Sequence, residues 1–164
     1  GQPLPEIPPE ARTPALSAPG AAFVTLTIDG QLRGCIGSLE AVQPLAEDVR
    51  EHAADAAVND YRFAPVRPAE VPRLHIEISR LTAPQPLEYA SPEELPGKLR
   101  PGIDGVVLRD GSRRATFLPQ VWQSLPAPVT FLNQLCQKMG APAGLWRQKM
   151  LSVQVYQVEE FEEE

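Results

Sequence analysis

The run Phe23-Val24-Thr25-Leu26-Thr27-Ile28-Asp29-Gly30-Gln31-Leu32-Arg33-Gly34-Cys35-Ile36-Gly37 decides the fold. Two β-type stretches flank an Asp-Gly pair, the preferred centre of a two-residue type I′ hairpin turn. A tight turn sets the register, so Ile28 is expected opposite Gln31, Leu26 opposite Arg33 and Val24 opposite Cys35. Cross-strand partners share a face. The face carrying Val24, Leu26 and Ile28 should therefore also carry Arg33 and Cys35. An arginine pointing into an apolar layer must find a carboxylate or backbone carbonyls. Gly34 and Gly37 remove side-chain bulk, so that a ligand or a second backbone can come close. The stretch reads as a built site that sets a fixed cation two residues from a thiol.

Working outward, Pro44 suits the first position of a helix over 44–57. Glu47 and Asp48 sit in its first turn, and Leu45, Val49, Ala53 and Ala56 form its apolar stripe, with His52 beside them. Leu74-His75-Ile76-Glu77-Ile78-Ser79 alternates as a strand, with Glu77 on the polar side. A second hairpin is expected over 103–118 around Asp110-Gly111. Leu132, Leu135, Cys136 and Met139 mark a helix over 128–139 that stops at Gly140. Cys136 is a core residue on that stripe, and Trp146 is expected to plug a gap between helix and sheet. Leu151–Val155 alternates as a last strand. The fold class is α+β, with mainly antiparallel sheet built from two hairpins and flanking helices, in one body or in two lobes with a cleft between them.

Residues 1–20 carry no helical or strand period and read as a proline-rich, extended arm. The domain follows over 21–160, and 161–164 is a solvated acidic tail. The net charge of −6 argues against a nucleic-acid binder, which needs a concentrated basic surface. No apolar run approaches the ~18 residues of a membrane span, and a reducing cytoplasm is the default setting. Two cysteines 101 positions apart make neither a disulfide framework nor a CxxC pair. With only two histidines, 23 positions apart, no metal site or cofactor is expected.

The run Leu32-Arg33-Gly34-Cys35-Ile36-Gly37-Ser38-Leu39-Glu40 resembles the signature of the AMMECR domain family, whose bacterial members are called AmmeMemoRadiSam system protein A. The resemblance continues through Asp60-Tyr61-Arg62-Phe63-Ala64-Pro65-Val66, Ile76-Glu77-Ile78-Ser79, Pro101-Gly102-Ile103-Asp104-Gly105 and Phe117-Leu118-Pro119-Gln120-Val121, and spans roughly residues 20–160. It brings no established activity with it. The family name implies an association with a Memo-like protein, related to extradiol dioxygenases, and with a radical S-adenosylmethionine protein. The resemblance also implies a glutamate at the place of Glu77, an Asp-x-Arg-Phe element at 60–63, and a helix before the first strand. For that helix the chain shows no counterpart, opening instead on prolines.

Two functional readings stay open. In one, the domain is a binding component whose cleft, around Arg33, Gly34, Gly37, Arg62, Glu77 and Asp104, takes a small molecule or a partner protein. In the other, it is an enzyme acting on a small anionic or carbonyl substrate. Arg33 then orients the substrate, Cys35 is the catalytic nucleophile or acid/base, and Glu77 or Asp104 completes the site. Arg62 has two roles to choose between, a plain ion pair with Asp60 or a second cation facing the Arg33 cavity. Because no histidine adjoins Cys35 in sequence, the binding reading leads.

Overall fold

The computed structural model describes residues 2–164. It divides into two compact units, one running to Ala83 and taking in Glu159–Glu164, the other Pro84–Val158.

In the first unit residues 2–8 carry no regular structure, and two short helical turns follow them. A 3-10 turn at Pro9–Ala11 and a single helical turn, α1 (Pro14–Ser17), precede the first strand. The Thr13 hydroxyl accepts the Leu16 N–H and Pro14 takes the first helical position, a start signal hidden among the prolines. Then come β1 (Pro19–Ile28), β2 (Gln31–Gly37), β3 (Gln43–Pro44), α2 (Leu45–Val58) and β4 (Leu74–Leu81). The sheet runs in the order β2-β1-β4 and continues to the chain's last strand, Val158–Glu162; β3 pairs with the start of β1. The sheet thus reaches into the acidic C-terminal residues, and the Glu163 N–H donates to the Ile76 carbonyl at 3.2 Å.

Helix α2 lies on one face of this sheet. It buries Val24, Leu26 and Ala56 among Ile36, Val49, Ala53, Ile76 and Ile78. Full burial contributes about 1.5–3 kcal/mol for each large aliphatic side chain, which holds helix to sheet. One buried carboxylate locks the two together. Asp48, on α2, accepts the Ala22 N–H at 2.9 Å and the Ser38 hydroxyl at 3.2 Å, with His52 Nδ1 at 3.1 Å.

The second unit holds β5 (Gln85–Pro86), α3 (Leu95–Lys98), β6 (Gly105–Asp110), β7 (Arg113–Phe117), α4 (Pro128–Lys138), α5 (Leu145–Gln148) and β8 (Ser152–Tyr156); the last strand is β9 (Val158–Glu162). Its sheet order is β5-β8-β6-β7, with every pairing antiparallel. Helix α4 buries Phe131, Leu132, Leu135 and Cys136, and Trp122 stacks on Phe131 with ring centroids 3.7 Å apart. Trp146 fills the core as expected, its Nε1–H donating to Asn133 Oδ1 at 2.8 Å. The second hairpin turns on Gly111 and Ser112 rather than on Asp110-Gly111, since Asp110 still pairs with Arg113. Only Gly111 has positive φ, at 60°, which is the type II′ pattern. The architecture is α+β with antiparallel sheets and flanking helices.

Candidate functional site

The first hairpin turns as its Asp-Gly pair requires, with φ of 52° at Asp29 and 76° at Gly30. Beyond the turn the register departs from the expected one. Ile28 faces Gln31 and Thr27 faces Leu32, but Leu26 faces Gly34, so Arg33 is an extra residue in a β-bulge. A one-residue slip sends every later side chain to the other face. Gly34 and Ile36 therefore share the α2 face with Leu26 and Val24, while Cys35 pairs with Thr25 and faces away from α2. The expectation that Arg33 and Cys35 sit beside Leu26 and Val24 is overturned.

The cause lies in packing and charge together. A Cβ at Gly34 would overlap the Ala56 carbonyl oxygen, so the end of α2 rests directly on the strand backbone at this residue. Gly34 serves that close approach of helix to strand. A Cβ at Gly37 would likewise strike the Phe23 ring and the Ala22 carbonyl oxygen. Without the bulge a guanidinium would stand in the apolar layer under α2, which is costly for a charge. With it, Arg33 reaches the sheet edge.

There Arg33 forms a forked pair with Glu70, Nε to Oε1 at 2.9 Å and Nη2 to Oε2 at 3.1 Å, and its Nη1–H donates to the Ala64 carbonyl at 2.8 Å. It is thus largely buried and paired, as the sequence required. Arg33, together with the Arg67 N–H, holds the Glu70 carboxyl down at about 2. Arg33 and Glu70 line a polar hollow of about 330 Å³ with Asp29 and Arg73.

A second pair holds the Cys35 peptide from both sides. Asp60 Oδ2 accepts the Cys35 N–H at 2.9 Å, while Arg62 Nη2 donates to the Cys35 carbonyl at 3.3 Å. Arg62 also reaches Asp60 Oδ1 through Nε at 3.0 Å and Oδ2 through Nη2 at 2.7 Å, and its own N–H donates to Oδ1 at 3.1 Å. Asp60 is buried, and these donors, the Arg62 guanidinium foremost, hold its carboxyl far below the usual range. The Asp-x-Arg-Phe element is thus a clamp on the outer edge of β2. It satisfies the free peptide groups at Cys35 and blocks edge-to-edge pairing there.

On the face opposite α2, three side chains lie in one row across three strands. Cys35 of β2 is opposite Thr25 of β1, which is opposite Glu77 of β4. Thr25 Oγ1 and Cys35 Sγ are 3.3 Å apart, and all three residues are half-buried. Burial, then the charges of Glu160 and Glu162, push the Glu77 carboxyl up, against the pull of His75. Ser79, two residues along β4 from Glu77, is 1% exposed with no partner for its hydroxyl. The row offers a thiol, a hydroxyl and a carboxyl that takes a proton more readily than usual.

The two histidines are engaged elsewhere, His52 with Asp48 and His75 with Glu162 at 3.2 Å. Asp104 belongs to the second unit, where it accepts from Arg100 Nη2 at 2.8 Å and from Gln157 Nε2 at 3.1 Å. Cys136 is fully buried, and burial pushes its thiol up, as fits a core residue. Among the described residues no cluster of histidine, cysteine and carboxylate side chains is placed to hold a metal ion. Sequence reasoning missed Thr25 and Asp60 as parts of this arrangement. The available signal was Gly34, since an isolated glycine in a strand often marks a bulge or a close backbone approach.

This is a small α+β protein whose first sheet presents a clamped, thiol-bearing strand on the face away from its helix. The chain belongs to the AMMECR1 family, whose model matches residues 2–161. A protein of Thermofilum pendens is 39% identical, over 95% of this chain and 78% of its own length. One of Methanopyrus kandleri is 38% identical, over 100% of this chain and 80% of its own. The crystal structure of the uncharacterized protein PH0010 from Pyrococcus horikoshii superposes with a TM-score of 0.88 at 36% identity, covering 97% of this chain and 81% of that one.

Proposed function

We propose that the domain is a binding module that takes a small molecule on the Cys35–Thr25–Glu77 face. The observation that carries this reading is the bulge at Arg33, which moves the thiol out of the α2 core and onto the face of Thr25 and Glu77. The Asp60–Arg62 clamp then fixes the thiol's backbone before any ligand arrives, which lowers the ordering cost of binding. The thiol and the hydroxyl can donate and the Glu77 carboxylate can accept, which suits a small ligand bearing both acceptors and donors, such as a hydroxylated carbonyl compound. Arg33 supports this site by shaping the bulge rather than by meeting the ligand, since its donors go to Glu70 and Ala64. Membership in the AMMECR1 family supports a setting in an AmmeMemoRadiSam-type system in the cytoplasm, with Memo-like and radical S-adenosylmethionine proteins as partners.

The enzyme reading has one observation in its favour, the half-buried Cys35 thiol in contact with a hydroxyl. Both histidines, however, pair with carboxylates of their own, which leaves the thiol without an evident base. A thermal-shift screen of metabolites on the wild type, Thr25→Ala and Glu77→Gln tests the binding reading. True hits raise the melting point of the wild type, lose at least tenfold in affinity in the variants, and shield Cys35 from iodoacetamide. Hits indifferent to all three residues would reject the site. Turnover of a hit that stops on alkylation of Cys35 would establish the enzyme instead. A pull-down with the Memo-like and radical S-adenosylmethionine proteins tests the partnership.

A further inference from the structure

On the other side of the same sheet lies a cavity that the Cys35 face does not use. Helix α2 lies mainly over β1 and β2, and the α2 side of β4 toward β9 is covered only in part. The N-terminal segment leans over this part of the sheet and borders a half-open space of about 550 Å³. One wall is Ile7 and Leu16, a second is Leu45 and Val49 of α2, and the floor is Ile78 and Phe161. Three alanines, Ala11, Ala15 and Ala46, keep the space open where longer side chains would close it. The volume is that of a small-molecule site, and the lining is aliphatic apart from Phe161 and two arginines.

Two guanidinium groups line the space, Arg50 from α2 and Arg80 from β4. Arg50 is built in, with Nη1 donating to the Pro5 carbonyl at 2.9 Å and Nη2 against Glu47 at 2.6 Å. It ties the N-terminal wall to α2. Arg80 is held loosely, with its Nη1 3.7 Å from Glu159 in an exposed pair. Such pairs contribute little, so Arg80 is free to exchange Glu159 for another anion.

We propose that this cavity binds an alkyl carboxylate, with the chain in the aliphatic space and the carboxylate on Arg80 at the rim. The proposal is independent of the Cys35 face, because Ile78 and Glu77 point to opposite sides of β4. A protein partner fits less well, since a stable interface needs a broad surface and this is a pocket walled by four segments of the chain itself.

Isothermal titration with straight-chain carboxylates from hexanoate to dodecanoate, below their micellar concentrations, tests it. Affinity should rise about fourfold with each added methylene until the cavity is full, and then level off. The matching alkanols should bind at least tenfold more weakly, and Arg80→Ala should erase that preference. Ala46→Phe fills the space from α2, and Ala15→Trp fills it from an exposed position on the N-terminal wall. Either filling variant that melts like the wild type should lose binding by at least tenfold. Absence of saturable binding, affinity independent of chain length, or undiminished binding in both filling variants would overturn the site. Equal affinity for alkanols and carboxylates would overturn the assigned ligand class.

Discussion

Asp60→Ala is the most informative single change in the clamp. In the wild type one buried carboxylate accepts the Cys35 N–H, the Arg62 N–H and two guanidinium donors. Removing it leaves the part-buried Cys35 N–H without a partner, at about 1–3 kcal/mol. The lost ion pair adds less, about 0–1 kcal/mol, because Arg62 is 45% exposed and can return to water. Together the expected loss is about 1–4 kcal/mol. At about 2–4 °C per kcal/mol for a chain of this size, the melting point should fall by about 2–16 °C. Asp60→Asn keeps an acceptor and should lose less. The sign of the pH dependence follows from the carboxyl, whose folded pKa lies below its unfolded value of about 3.9. Its stabilisation is complete above that value and is lost as the pH falls toward the folded pKa. The gap between wild type and Asp60→Ala should therefore be full at neutral pH and shrink below about pH 4. Urea unfolding followed by circular dichroism measures the gap, and amide exchange at Cys35 should speed up in the variant. A loss under about 1 kcal/mol with unchanged exchange at Cys35 would refute the clamp.

Gly34→Ala should destabilise more than Gly30→Ala, because the new Cβ meets the rigid Ala56 carbonyl, whereas Gly30 faces open space and incurs only the strain of its positive φ. Overpacking against backbone costs about 1–3 kcal/mol or more, and thermal melts of the two variants check the order. Glu77→Gln should raise the melting point at neutral pH. The Glu77 carboxyl is pushed up in the fold, so its charged form opposes folding as the pH rises through the folded pKa, and the advantage of the variant should vanish in acid. A Glu77→Gln variant that melts lower than the wild type at pH 7 would show that the Glu77 charge is used for stability.

The elements of the fold were legible because each carried a local signal. The Asp-Gly pair set the first turn, the alanine-rich stripe set α2, and the apolar spacing from Leu132 to Met139 set α4. The clean alternation of Leu74–Ser79 set β4 and correctly placed Glu77 away from the apolar face. The candidate site was legible only in part. That Arg33 must be paired followed from its neighbours, but that it is paired by leaving the strand register did not. The bulge is decided by the fit of α2 on Gly34, a contact between residues 22 positions apart that no local pattern encodes. Asp60 was legible only as an ion-pair partner of Arg62, because its other partner, the Cys35 amide, lies 25 positions upstream. The strand at Val158–Glu162 was hidden by its charge, since glutamates are poor strand formers and here sit largely exposed at the sheet edge.

The face on which Cys35 lies is the foundation of the binding reading, and a disulfide trap tests it most directly. Thr25 is the cross-strand partner of Cys35, with Oγ1 and Sγ 3.3 Å apart, so Thr25→Cys brings two sulfurs within bonding reach. Under mild oxidation the thiol introduced by Thr25→Cys should form a disulfide with Cys35, seen by mass spectrometry as the loss of two hydrogens. Val24→Cys, on the α2 face, should remain reduced. A bridge in the Val24→Cys protein and none in Thr25→Cys would return Cys35 to the α2 core and contradict the account.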